Sequence, residues 1–155
     1  MERNIFFKIA GAFGLLIVVF VIFFHIRSQT VVQDGQKGQV IVGEKTFSVE
    51  IADTQALQAL GLSGHAPLSD NQGMLFIFEK PAVYTFWMKD MKVSLDIIWI
   101  DENMKIVYIQ KNARPESYPE SFNPRASSLY VLEVSAGQAD ALKIGVGDSV
   151  KIVKN

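Results

Sequence analysis

The chain has 155 residues, a formal net charge of −1 and 49% hydrophobic residues, which leaves room for one globular core besides the apolar N-terminus. Its 15 basic and 16 acidic residues form no basic cluster, which argues against nucleic acid as a partner. With no cysteine there can be no disulfide, thiol nucleophile or thiolate metal site.

Ile9 to Phe24 carries no polar side chain and is extended by Ile5 to Lys8 and by His25-Ile26. Lys8 can snorkel to the interface, leaving a span close to the roughly 20 residues a bilayer requires. Phe24-His25-Ile26-Arg27 offers no small-residue cleavage site, so residues 1–27 read as an uncleaved transmembrane anchor, with residues 5–26 in lipid. Arg3, Lys8 and the terminal amine outweigh Arg27, which places the N-terminus in the cytoplasm and the rest outside, in the periplasm or at the cell surface. Residues 28–39 are polar and rich in Gln and Gly, a flexible tether for a soluble β domain over residues 40–155.

That domain opens with a hairpin, Val40–Val42 and Lys45–Ile51 around a Gly43-Glu44 turn. Asp53 or Thr54 can cap a short helix through Leu60, with Gly61 in the left-handed stop position and Leu62 folding back on Leu57. After a polar loop, Met74–Phe78 is an unbroken apolar run that fits a central strand, turning at Lys80-Pro81. From Val83 to Lys89 a period of two puts Tyr84, Phe86 and Met88 on one face, and Val83, Thr85, Trp87 and Lys89 on the other. Leu95–Ile100 sends Leu95, Ile97 and Trp99 one way and Asp96, Ile98 and Ile100 the other; Lys105–Gln110 completes a hairpin. Residues 112–127 hold Pro115, Pro119 and Pro124 without periodicity, which reads as a long loop, neither helix nor ladder. Leu129–Val134 alternates again, with Glu133 beside Leu129 and Val131. Ser135 and Gln138 suit a capping box for a second helix, and Ser149–Val153 is a last strand. Seven or eight short strands and two short helices describe a mainly β barrel or sandwich behind one transmembrane helix.

Gly61-Leu62, Gly73-Met-Leu-Phe76, Phe86-Trp-Met-Lys-Asp90, Leu95-Asp96, Tyr130-Val-Leu-Glu133 and Gly147-Asp148, in this order and spacing, resemble the uncharacterised family called domain of unknown function 192, over roughly residues 46–153. The resemblance implies a small, mainly β domain, often behind a signal or membrane segment, and no established activity. The family often has Asn where this chain has Asp90, and Pro where it has Ser94.

Asp96 and Glu133 each keep apolar company on their strands, and an unpaired buried charge costs several kcal/mol. Both therefore need partners, and Lys89 is the candidate cation for Asp96. Trp87, Lys89, Asp96 and Glu133 form the candidate ligand-binding set, roofed by residues 112–127. Three readings stand beside one another: an ion network that fixes strand register, a surface for a small polar ligand such as a saccharide or envelope component, and a carboxylate pair for hydrolysis. Met74, Met88, Met91 and Met104 could hold Cu(I), but Met fills gaps in apolar strands more often. Phosphate loops, zinc-protease motifs and nucleophile elbows are missing, and a lone loop His65 is a weak basis for a triad. The expectation is a single-pass, extracytoplasmic ligand-binding domain with no cofactor and no protein metal site. A carboxylate-pair hydrolase and a structural or partner-binding module of the envelope are the alternatives.

Overall fold

The computed structural model describes residues 35–154; the anchor expected over residues 1–27 lies outside the described residues. Among those described, no helix is long and apolar enough to cross a membrane. Strand β1 (Lys37–Val42) begins within the expected tether and pairs antiparallel with β2 (Lys45–Ala52). Between them Gly43 has φ 59°, the conformation that a tight Gly-first hairpin turn demands. Phe47, Val49 and Ile51 are buried while Thr46, Ser48 and Glu50 face water.

Helix α1 (Gln55–Leu60) is capped by Thr54, whose hydroxyl accepts from the Leu57 amide at 3.3 Å. Gly61 ends it at φ 52°, donating its N–H to the Leu57 carbonyl, and Leu62 buries beside Leu57. This helix is the crossover of a β–α–β unit, because the next strand, β3 (Gln72–Ala82), runs parallel to β2. The central apolar run is as expected, but the strand continues through Lys80-Pro81, with its pairing irregular between Ile77 and Ala82.

The remaining strands are β4 (Phe86–Trp87), β5 (Leu95–Ile100), β6 (Ile106–Ala113), β7 (Ser121–Phe122), β8 (Ser128–Ser135) and β9 (Val150–Lys154). Seven of the nine form one sheet in the order β6-β5-β8-β3-β2-β1-β9, and β4 pairs with β7 separately. The sheet is not closed into a barrel; its edge regions meet at an isolated bridge, Lys105 to Ser149, where main-chain N–H groups of Ile106, Gly147 and Val150 donate to the Asp148, Ile106 and Met104 carbonyls. The proline-rich stretch is more ordered than its sequence suggests, since it contains a 3₁₀ turn (Pro115–Ser117) and β7. Short β7 holds Phe122 opposite Phe86 and Ser121 opposite Trp87.

Alternation along the strands divides the core into two clusters, one on each face of the sheet. One contains Phe47, Leu75, Ile98, Ile100, Leu132 and Val134, with Ala139 from helix α2 (Gln138–Ala141). The other contains Met74, Phe76, Met88, Leu95, Ile97, Trp99 and Val131. Trp99 is completely buried, and its indole N–H donates to the Tyr84 carbonyl at 2.8 Å. That bond ties the Tyr84–Trp87 segment over the second cluster.

Candidate functional site

Asp96 and Glu133 sit on neighbouring strands, yet they leave opposite faces of the sheet. Asp96 is paired with Val134 and belongs to the face of Ile98 and Ile100, whereas Glu133 is paired with Met74 and Ile97 and belongs to the face of Val131 and Phe76. The four residues expected to share one surface therefore separate. Trp87, Lys89 and Glu133 line one hollow, and Asp96 is absent from it.

Asp96 is 1% exposed and has no cationic partner among the described residues. Its carboxylate accepts from two main-chain amides, Asn112 at 2.9 Å through Oδ1 and Ala139 at 2.8 Å through Oδ2. The second bond satisfies a free N–H in the first turn of α2, the work expected of Ser135. Ser135 instead donates to the Leu68 carbonyl at 3.1 Å. The expected Lys89–Asp96 pair is replaced by a carboxylate clamp that joins β5, β6 and α2.

Glu133 is 5% exposed and lies at the floor of the hollow. Among the described residues the ion pairs are His65–Glu50 and Lys111–Asp140, so neither Lys89 nor any other cation reaches it. Desolvation alone pushes its pKa up to about 8, so the carboxyl is largely protonated at neutral pH.

The hollow has a volume of about 230 Å³. One wall is the end of α1 and its stop, from Gln58 to Ser63; the other is β3 at Phe76 and Phe78 with the segment Tyr84–Trp87. The wall is an aromatic lattice. Phe78 stacks on Tyr84 with ring centres 3.5 Å apart, and Phe86 meets Phe76, Phe78 and Trp99 edge to face. Alternation over 83–89 holds as read, with Met88 buried and Trp87 57% exposed at the rim beside exposed Lys89. Tyr118 of the proline-rich segment packs against Trp87 from outside, at 6.5 Å. That segment flanks the rim and contributes no lining residue, so it is not the expected roof.

Two backbone features explain the local sequence. Asp90 turns the chain with φ 56°, a left-handed conformation that Asn, Asp and Gly tolerate best. Gly73 lets β3 approach β8, because a Cβ there would stand 2.5 Å from the Glu133 carbonyl oxygen. Phe76, Phe78, Phe86 and Gln58 are among the lining residues that sequence reasoning left out of the site. The signal was present: Gly61-Leu62, Phe76, Phe86-Trp87, Lys89 and Glu133 come from separate motif strings and converge on one cavity.

Met74, Met88 and Met91 pack in the aromatic cluster, while Met104 occupies the turn before β6 at φ 59°. A second hollow of about 390 Å³ lies between β1, β2 and the loop of His65 to Leu68. His65 and Glu50 line it 3.5 Å apart, and neither is buried.

Two solved structures are similar over most of the chain. A protein of unknown function from Novosphingobium aromaticivorans DSM 12444 is 34% identical, with a TM-score of 0.71 over 78% of this chain and 89% of its own. A protein from Sinorhizobium meliloti 1021, described as "a putative transcription regulator", is 28% identical, with a TM-score of 0.69 over 75% of this chain and 92% of its own. No curated protein matches. The model of the DUF192 family, described as "Uncharacterized ACR", matches residues 38–152, and the chain belongs to that family.

Proposed function

We propose that the domain binds a small polar ligand in the hollow between α1, β3 and the segment from Tyr84 to Lys89. One observation carries this reading: an unpaired, buried carboxyl, Glu133, opens on an aromatic cavity that solvent can enter. Burying an ionisable group without a partner costs stability, and a convergent polar group in an otherwise apolar hollow is the usual signature of a ligand site. The ligand's body would lie against Phe76, Phe78 and Phe86, with Trp87 at the rim and a polar group at Glu133. A volume of about 230 Å³ falls below the roughly 300–1,000 Å³ of drug-sized sites, so the occupant is a single ring or a short chain. The apolar residues 5–26, with Arg3 and Lys8 before or within them, support a tethered position outside the cytoplasm. An envelope component or a saccharide is then within reach.

A thermal-shift screen of the full-length protein against sugars, envelope fragments and small metabolites tests the reading, since a ligand of the folded state raises the midpoint. Ala59→Trp places a bulky ring on the exposed α1 wall of the hollow and should abolish any shift while leaving the unliganded midpoint within a few degrees. A shift that survives Ala59→Trp would place the ligand elsewhere.

A further inference from the structure

We propose that the ligand is a small primary ammonium compound that also carries an anionic group, its ammonium seated against Glu133 and its anion at Lys89. The inference rests on the ligand-site reading and adds the chemical class. An account of hydrogen-bonding groups in the hollow leads to it. Three side-chain donors lining it are already used: Gln58 Nε2 donates to the Ala52 and Ile77 carbonyls, the Ser63 hydroxyl to the Lys89 carbonyl, and the Tyr84 hydroxyl to the Lys80 carbonyl; the Thr85 hydroxyl and the Trp87 indole N–H belong to exposed residues. Beside them the Gln58 side-chain oxygen is left as an acceptor, and the Glu133 carboxyl, once ionised, offers two more.

An ammonium brings three donors and a positive charge to these acceptors. Five aromatic side chains, Phe76, Phe78, Tyr84, Phe86 and Trp87, line the same space, and aromatic rings attract cations. Among the described residues Glu133 is the only acidic side chain lining the hollow, and the other titratable groups there are Tyr84 and Lys89. Lys89 stands exposed at the mouth without an ion pair among the described residues, where it opposes a second cation and accepts an anion.

Seating an ammonium converts Glu133 from acid to carboxylate, and the proton leaves to bulk water. With the pKa of the empty site raised to about 8, binding at pH 7 should release close to one proton per ligand. Calorimetric titration of the full-length protein with O-phosphoethanolamine, 1,4-diaminobutane and glucose, each in two buffers of different ionisation enthalpy, reads this directly. The expected result is that O-phosphoethanolamine binds with proton release and at least 10-fold tighter than the diamine. Glu133→Gln should remove the release and weaken binding at least 10-fold, while Lys89→Met should erase the preference over the diamine. Trp87→Ala, at an exposed position, should weaken binding several-fold with the melt unchanged. If glucose or another neutral compound binds without proton release and tolerates Glu133→Gln, the ammonium assignment falls and the ligand site stands. If O-phosphoethanolamine fails to bind, the assignment falls; if a wider neutral panel is silent too, the ligand site falls with it.

Discussion

Asp96 and Glu133 are one register step apart on paired strands, Asp96 facing Val134 and Ile97 facing Glu133, and their carboxyl groups enter different cores. One is held by peptide amides and serves the fold. The other has no partner and faces a cavity. A buried acid in a strand thus has two fates here, decided by which face its position selects.

Asp96→Ala should destabilise the domain by about 2–4 kcal/mol, because the buried amide of Ala139 and the partly buried amide of Asn112 lose their acceptor together. Asp96→Asn keeps one acceptor and should cost roughly half as much. Equilibrium urea unfolding measures both, and a change below about 0.5 kcal/mol for the alanine variant would contradict the clamp.

Glu133 makes stability depend on pH in a defined sense. Its folded pKa of about 8 lies above the ordinary 4.5, so the folded state holds the proton more tightly. Its contribution is fully present below pH 4.5 and is lost as pH rises through the window from 4.5 to about 8. Glu133→Gln removes this dependence. The stability of the variant relative to wild type should rise by up to roughly 1.4 kcal/mol per pH unit within that window and level off above it. Denaturation series at pH 4 and pH 8.5 compare the two ends, and parallel profiles would refute the raised pKa.

Gly73→Ala should cost on the order of 2–4 kcal/mol, since the added methyl meets the Glu133 carbonyl at 2.5 Å and neither central strand can retreat without disturbing both clusters. Thermal denaturation gives the measurement. A neutral result would mean that β3 and β8 can separate.

The two tryptophans should differ sharply. Trp99→Ala removes a fully buried ring and its indole bond to Tyr84 and should cost about 3–5 kcal/mol. Trp87→Ala, 57% exposed, should cost under about 1 kcal/mol. Fluorescence of Trp87→Phe should be blue-shifted and shielded from iodide, leaving Trp99 as the emitter.

Alternation made the faces of β5, β8 and residues 83–89 legible, because a period of two assigns each side chain to one side whether or not the ladder is long. Trp87, Lys89 and Glu133 reach the same cavity for that reason. The failure over Asp96 has a matching cause: strand order, and hence which face of β5 continues which face of β8, depends on long-range pairing that local pattern does not encode. The β2–α1–β3 crossover was missed because α1 is six residues long and resembles a turn between hairpins. Residues 112–127 were read as structureless because prolines remove ladder donors, yet two residues, Ser121 and Phe122, suffice to pair with β4. The aromatic wall is hard to read as a site from sequence because it is also core: Phe76 and Phe86 belong to the second cluster and line the hollow as well.

The Asp96 clamp grips peptide N–H groups, which every amino acid except proline supplies. Substitution at Asn112 or Ala139 can therefore proceed on grounds of size and turn geometry alone, with no compensating exchange at position 96. Methods that infer proximity from correlated changes between homologous sequences will overlook this junction of three elements. Proline at 112 or 139 is the replacement that would expose it.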